Sequence, residues 1–219
     1  MKALRIAIVG AESTGKTTLA STLTRRLREE FALDAVEVPE ALRQWCREQG
    51  RTPRIDEQLG IARLQQQWID DAARDAEVVV CDTTPLMIAV YSQIVFGDHS
   101  LDEMAREWHA SMAFTVLTGL DIAWVADGLQ RDGPHVRAPV DQAIRRHLLD
   151  WNADWAVVMG DGEARTANAL DALRPVIAAW SARPGAPAGL FSSLLESGIG
   201  PARPAAGPCP RCDVPHAGR

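Results

Sequence analysis

The chain has 219 residues, a length that fits one domain or one domain with an appended segment. Its 47% hydrophobic and 24% charged residues are typical of a globular protein and exclude disorder over the whole length. The net charge is −6 and no basic run of five residues occurs, so nothing favours a nucleic-acid partner. No apolar run approaches the roughly 20 residues of a membrane span, and the first apolar run is too short for a signal peptide. We therefore expect a cytoplasmic protein with no membrane partner.

Short apolar strands and amphipathic helices alternate along most of the chain. The strands are predicted at 3–9, 34–39, 77–81, 121–125 and 155–159. The helices are predicted at 16–31, 84–96, 100–112, 139–151 and 166–180, with a further helical stretch at 40–76 that is interrupted at 50–53. Residues 114–117 are also apolar, but we assign the fourth strand to 121–125. This alternation predicts an α/β fold in which a parallel five-stranded sheet has helices on both faces.

The composition changes after residue 182, where a segment rich in proline and glycine begins. Such a segment buries too little apolar surface to offset the entropy of ordering it. We therefore predict a domain at 1–182 and a largely disordered tail at 183–219, in which only 189–196 could form a short docked helix. Cys209, Cys212 and His216 of the tail would supply three zinc ligands where a structural site needs four, so we favour no metal or weak binding over a structural zinc site.

A phosphate-binding motif lies between the first predicted strand and the first predicted helix. Residues 10–17, GAESTGKT, fit the pattern G-x-x-x-x-G-K-[ST] at every fixed position. In such a loop the backbone N–H groups surround phosphate oxygens, Lys16 reaches the β- and γ-phosphates of ATP, and Thr17 offers its hydroxyl to Mg²⁺. The predicted nucleotide-binding residues are Gly10, Glu12, Ser13, Thr14, Gly15, Lys16, Thr17 and Thr18.

Lys16 is one of only two lysines among 23 basic residues, which suggests that its chemistry is required. The alternative for the whole motif is a glycine-rich turn without a ligand. The motif and the alternation together predict a P-loop fold that binds a nucleoside triphosphate.

Two carboxylates follow predicted strands and are candidates for the chemistry. Asp82 ends the strand EVVVC and would hold Mg²⁺ together with Thr17, or would cap the helix that follows. Glu40 follows the second strand and could accept the proton of a substrate hydroxyl, or could interact with the dipole of the next helix. Arg43, one turn later, could bind substrate or pair with Glu40.

A predicted loop at 126–139 carries Arg131 and Arg137 on either side of a Gly-Pro pair. Phosphoryl transfer needs positive charge at the γ-phosphate, and a closing loop often supplies it. We therefore count both arginines as catalytic candidates, with two solvated loop arginines as the alternative.

Five motifs together resemble one known family. They are GAESTGKTTL at 10–19, Glu40 with Arg43, QWID at 67–70, CDT at 81–83 and WVADGL at 124–129. They resemble the ribosylnicotinamide kinase domain of NadR proteins and the wider NadR-type P-loop family, over about residues 5–180. The most specific motif is WVADGL, which is followed by Gln130 where the family usually has arginine.

The resemblance implies a P-loop fold with a nucleoside- or nucleotide-kinase-like sheet. It also implies transfer of the ATP γ-phosphate to the 5′-hydroxyl of nicotinamide riboside, a reaction of NAD biosynthesis. It implies ATP and Mg²⁺ as cofactors, with Thr17 and Asp82 at the metal. It also implies a nucleoside pocket that includes Glu40, Arg43, Gln67, Trp124 and Asp127. The alternative from the same family is a nucleotide-dependent switch that hydrolyses ATP slowly and phosphorylates no nucleoside.

Overall fold

The computed structural model describes residues 2–125 and 133–183, and the structural statements below concern these residues. The strands are β1 (Leu4–Val9), β2 (Ala35–Val38), β3 (Val78–Asp82), β4 (Phe114–Thr118) and β5 (Trp155–Val158). The α-helices are α1 (Lys16–Phe31), α2 (Ala41–Gln49), α3 (Gln58–Asp75), α4 (Pro85–Phe96), α5 (Asp102–His109), α6 (Arg137–Asp150) and α7 (Gly162–Ser181). Short 3₁₀ helices at Ile55–Glu57 and Pro134–Val136 precede α3 and α6.

The five strands form one parallel sheet in the order β2-β3-β1-β4-β5, as the alternation predicted. β1 is central, and its side chains alternate between the two faces. Leu4, Ile6 and Ile8 belong to the same core cluster as leucines of α1 and α7. Ala7 and Val9 pack in a second cluster with residues of α4 and α6. Because both faces are covered, the strands are almost continuously apolar.

The fourth strand was predicted in the wrong place. It comprises Phe114–Thr118 and not 121–125. Ile6 of β1 pairs with Phe114, and Thr115 pairs with Trp155 of β5, so this segment fills the gap between two strands. Residues 121–125 lie beyond the carboxyl end of β4. Both runs are short and apolar, and only pairing with β1 and β5 distinguishes them.

The prediction of a loop at 126–139 is also wrong for residues 134–139. Pro134–Val136 forms a 3₁₀ helix and α6 begins at Arg137, two residues earlier than predicted. The side chain of Arg137 is buried, which differs from the solvated loop arginine considered above. Residues 126–132, with Asp127 and Arg131, and the tail with Cys209, Cys212 and His216 lie outside the described residues.

Parallel strands bring their carboxyl ends to one edge of the sheet, and the candidate residues follow these ends. The phosphate-binding motif follows β1, Glu40 follows β2 and Asp82 ends β3. None of the described helices has both the length and the hydrophobicity needed to cross a membrane.

Candidate active site

The loop at 10–15 joins β1 to α1 in a conformation that requires glycine at its first position. Gly10 has φ +153°, and a Cβ there would lie 2.1 Å from Oγ1 of Thr118. The Thr118 hydroxyl contacts Thr14 Oγ1 at 2.6 Å, and Thr14 Oγ1 donates to the carbonyl of Ala11 at 2.8 Å. The end of β4 therefore packs directly against the phosphate-binding loop.

Lys16 begins α1 and is almost completely buried, with 7% of its surface exposed. Its Nζ donates a 2.9 Å hydrogen bond to the carbonyl of Ala11. Burial lowers the pKa of Lys16, and the nearby carboxylates of Glu40, Asp82 and Glu12 oppose that shift. A lysine so placed can redirect its ammonium group from a backbone carbonyl to a phosphate oxygen.

The Thr17 hydroxyl and the Asp82 carboxylate lie together, as a Mg²⁺ site of this type requires. Thr17 Oγ1 donates to Asp82 Oδ2 at 2.6 Å, and Asp82 Oδ1 is buried with no hydrogen-bond partner among the described residues. Burial, reinforced by the charge of Glu40, raises the pKa of Asp82 to about 6. A bound cation would give Asp82 Oδ1 a partner and would stabilise the buried carboxylate charge, so this pair fits Mg²⁺.

The described residues provide no larger cluster of metal-binding side chains around this pair. No group of three or more His, Cys, Asp or Glu side chains is arranged to hold a metal within residues 2–125 and 133–183. Mg²⁺ commonly uses one or two protein oxygens together with phosphate oxygens and water. Thr17 and Asp82 suit that mode of binding.

Glu40 is the residue that directly precedes α2. It makes no side-chain capping bond to α2, and Arg43 Nε donates to its Oε2 at 3.1 Å. The buried amide of Gln65 on α3 fixes this turn, since it accepts from the Ala41 N–H at 2.8 Å and donates to the Pro39 carbonyl at 3.1 Å. The carboxylate is thus oriented by one arginine and a rigid backbone.

A cavity of about 430 Å³ adjoins this group of residues. The polar residues of its lining are Glu12, Ser13, Lys16, Glu40, Arg43, Thr52, Arg54 and Gln58. The other lining residues are Leu42, Cys46, Pro53, Ile55, Tyr91, Val95 and Phe96. Because Lys16 and Glu40 line the same cavity, a molecule bound there would contact the phosphate-binding loop and a carboxylate at once.

Three of the predicted substrate or catalytic residues lie elsewhere. Gln67 is exposed on α3 and does not line the cavity, whereas Gln58 of the same helix does. Trp124 is half-buried, and its indole N–H has no partner among the described residues. The N–H of the next residue, Val125, donates to Ser13 Oγ at 2.8 Å. Arg137 is 8% exposed at the start of α6 and is not part of the cavity wall.

Several residues of the site escaped the sequence analysis. Gln58 and Gln65 are buried on α3, Thr118 ends a strand that was misplaced, and Arg165 of α7 donates to the Thr14 carbonyl. None belongs to a recognisable motif. Only a spacing of buried polar residues along α3 could have indicated the two glutamines.

Comparisons with known proteins agree with this fold. The AAA domain family matches residues 5–165. A comparison with curated protein sequences gave no significant match. Two crystal structures of NadR are similar in fold: one in complex with NR, at 17% identity and a TM-score of 0.65, and one with NAD and AMP-PNP, at 15% identity and 0.62. Each covers 80% of this chain, and this chain spans about half of the NadR chain, 50% and 49% respectively.

Thymidylate kinase from Ehrlichia chaffeensis also matches, at 14% identity and a TM-score of 0.58, over 80% of this chain and 100% of its own. At these identities the matches show a common fold, and they confirm the predicted resemblance to the NadR-type kinase domain at that level. With a complete phosphate-binding motif after β1 and a family match over most of its length, the chain belongs to the AAA domain family and has a kinase-like P-loop fold.

Proposed function

We propose that the protein is an ATP-dependent kinase that phosphorylates a hydroxyl group of a nucleoside, with nicotinamide riboside as the first candidate. The observation that carries the proposal is the shared cavity of Lys16 and Glu40. A phosphate donor held by the loop at 10–17 and an acceptor beside Glu40 would meet in that space. The NadR structures, one with AMP-PNP and one with NR, support the choice of donor and acceptor.

The charges of the cavity favour a hydroxyl acceptor over a nucleoside monophosphate. The two arginines of the wall are paired, Arg43 with Glu40 at 3.1 Å and Arg54 with Glu57 at 3.1 Å. Lys16 remains for the phosphates of the donor. A monophosphate brings about two further negative charges, and recognition of phosphate usually uses arginine forks that are free to bind it. An uncharged nucleoside requires no such group.

In the proposed reaction the acceptor oxygen attacks the γ-phosphorus as the bond from that phosphorus to the β–γ bridging oxygen breaks. Glu40 takes the proton of the hydroxyl, and Arg43 keeps the carboxylate turned towards the cavity. Lys16 stabilises the charge that develops on the transferred group. Mg²⁺, held by Thr17 and Asp82, would supply further positive charge to the donor phosphates.

Further roles follow from the resemblance and from residue type. Arg131 and Arg137 would bring charge to the γ-phosphate, and Trp124 and Asp127 would contact the nucleoside, whereas Gln67 is exposed outside the cavity and takes no role in this proposal. For Arg137 the support is its buried guanidinium, of which Nε and Nη2 have no partner among the described residues. For the others the resemblance alone is the support.

A panel of acceptors with ATP and Mg²⁺ tests the proposal. Nicotinamide riboside, purine and pyrimidine nucleosides and the matching monophosphates are supplied in turn, and the phosphorylated product is measured by chromatography. We expect product from one or more nucleosides, none from monophosphates, and none above background from Lys16→Ala. Phosphorylation of monophosphates alone would refute the charge argument. Tight ATP binding with no phosphorylated acceptor would favour the nucleotide-dependent switch.

A further inference from the structure

Arg165 is a buried cation that joins three separate segments of the chain. It lies in the first turns of α7 and is 2% exposed. Its Nη1 donates to the carbonyl of Thr14 in the phosphate-binding loop. Its Nε donates to the carbonyl of Gly160 at 2.7 Å, and its Nη2 donates to Asp121 Oδ1 at 2.5 Å. These acceptors follow β1, β5 and β4, so one guanidinium connects the carboxyl ends of three neighbouring strands.

Asp121 completes this network and neutralises its charge. While its Oδ1 accepts from Arg165, its Oδ2 accepts from the Gly160 N–H at 2.6 Å. Buried charges are retained in proteins when they are paired and hydrogen-bonded, and both conditions hold here. The result is a closed arrangement in which the Gly160 peptide and the Thr14 carbonyl are held relative to each other.

The contact with Thr14 determines how the next peptide group is turned. In a planar trans peptide the C=O and the following N–H point in opposite directions. Because the Thr14 carbonyl points to Arg165 of α7, the Gly15 N–H of the same peptide points in the opposite direction, away from that guanidinium. Gly15 has φ +76°, and a Cβ built on it lies 3.9 Å from Arg165 Nη1, so the guanidinium is close to this turn.

We propose that Arg165 is a positioning residue for phosphate binding, which acts by keeping the Thr14–Gly15 peptide in the orientation that presents the Gly15 N–H to the donor phosphates. The inference rests on the proposed function only in assuming that the loop binds a nucleotide polyphosphate, and it is independent of the acceptor. Its ligand is the polyphosphate chain itself, without the base or the sugar.

Only arginine has the geometry for this task. The three acceptors lie in different directions, and the planar guanidinium offers five N–H groups in a fixed fork. Lysine would keep the charge, but its single ammonium group on a flexible stem cannot span Thr14, Gly160 and Asp121 together. Methionine would keep much of the buried volume and lose every hydrogen bond.

The test measures binding of inorganic tripolyphosphate, ADP and adenosine to the full chain by calorimetry. We expect Arg165→Met to lower the affinity for tripolyphosphate and for ADP by about tenfold or more, which corresponds to the loss of one charge-assisted hydrogen bond. Adenosine, which has no phosphate, should bind equally to both proteins. Arg174→Met is the matched control, because Arg174 lies on the same helix in an exposed pair with Asp171 and should leave all three affinities unchanged.

Arg165→Lys covers the case in which Arg165→Met does not fold. This variant keeps the buried positive charge beside Asp121, and we expect a loss of tripolyphosphate affinity of about fivefold or more. Unchanged tripolyphosphate affinity in either folded variant would overturn the inference, and so would an equal loss for adenosine. If the wild type binds neither ADP nor tripolyphosphate, the proposed function itself fails, and that result is distinguishable from a loss of affinity confined to the variants.

Discussion

The Thr17 hydroxyl donates a 2.6 Å hydrogen bond to the Asp82 carboxylate, which links the first turn of α1 to the end of β3. Since Asn keeps an oxygen that can accept this bond but has no charge, Asp82→Asn separates metal binding from structure. We expect Mg²⁺-dependent ATP affinity and turnover to fall by about tenfold or more, while ATP affinity in EDTA changes little. The melting temperature without Mg²⁺ should not fall, because Asn removes a buried charge.

Asp34→Asn is the control, because Asp34 is exposed on the surface before β2. It should leave ATP affinity unchanged both with Mg²⁺ and in EDTA. Asp102 is less suitable because its carboxylate is paired with the exposed His99. If Asp82→Asn retained wild-type dependence on Mg²⁺, the metal assignment of Asp82 would be wrong.

Glu40→Gln should lower turnover with little effect on ATP affinity. Gln preserves the size of the side chain but is a far weaker base than a carboxylate, so we expect a reduction in kcat of about 10²-fold. Steady-state kinetics with the best nucleoside of the panel, together with ATP binding by calorimetry, measure the two effects. Glu48→Gln, on the exposed side of the same helix, is the control. A Glu40→Gln variant as fast as the wild type would place the base elsewhere, with Asp82 next to be tested.

Two glycine substitutions should have opposite effects on stability. Gly10→Ala places a Cβ 2.1 Å from Thr118 Oγ1 at φ +153°, and we expect a loss of about 2 kcal/mol or more in the free energy of unfolding. Gly60→Ala meets no atom within 4 Å on the exposed side of α3, and we expect a gain of about 1 kcal/mol. Urea unfolding of both variants provides the measurement. Equal effects would contradict the loop geometry.

His109 should make the protein less stable as the pH falls. It is 5% exposed, its Nε2 lies 2.9 Å from Thr115 Oγ1, and its ring centroid lies 5.5 Å from that of Trp151. Burial lowers the pKa of His109 to about 4. Between about pH 6.5 and 4, His109 therefore binds a proton more readily in the unfolded state than in the folded state. The free energy of unfolding keeps its full value above this pH range and decreases as the pH falls through it.

His109→Gln retains a group that can bond Thr115 and does not titrate. Between pH 7.5 and 5 the wild type should lose about 2 kcal/mol more than this variant, as measured by urea unfolding at the two pH values. Part of the acid sensitivity should remain in the variant, because burial also lowers the pKa of His147, whose ring likewise packs against Trp151. Identical pH dependence in both proteins would exclude His109 as the source.

The domain should fold without the segment after residue 183. Helix α7 ends at Ser181, and Trp180 near its end is 4% exposed, with its indole N–H donating to the Lys2 carbonyl at 3.4 Å. A chain ending at Arg183 should therefore melt within a few degrees of the full chain, whereas one ending at Val176 loses buried Ile177 and Trp180 and should unfold much earlier.

A large drop for the chain ending at Arg183 would instead indicate that residues 189–196 dock on the domain. Zinc titration of the full chain and of the chain ending at Arg183 tests the tail ligands. One equivalent bound by the full chain and none by the shortened one would support a site at Cys209, Cys212 and His216.

The features that depend on local spacing of residues could be predicted from the sequence. The alternation of apolar strands with amphipathic helices predicted the parallel sheet, and the boundaries of α1 agree with the prediction at both ends. The motif at 10–17 indicated the phosphate-binding loop because its glycines, lysine and threonine are required at fixed positions. Glu40 and Asp82 were found because each follows a strand, and parallel strands end at the same edge of the sheet.

Contacts between residues far apart in the chain could be identified only from the folded protein. Residues 114–118 form β4 because they pair with β1 and β5, a relation that the equally apolar run at 121–125 does not reveal. Arg165 contacts Thr14 across 151 positions of the chain, and Gln65 fixes the turn at Glu40 from another helix. Such contacts depend on how the helices pack over the sheet, and that packing cannot be predicted from a residue's type and its immediate neighbours in the sequence.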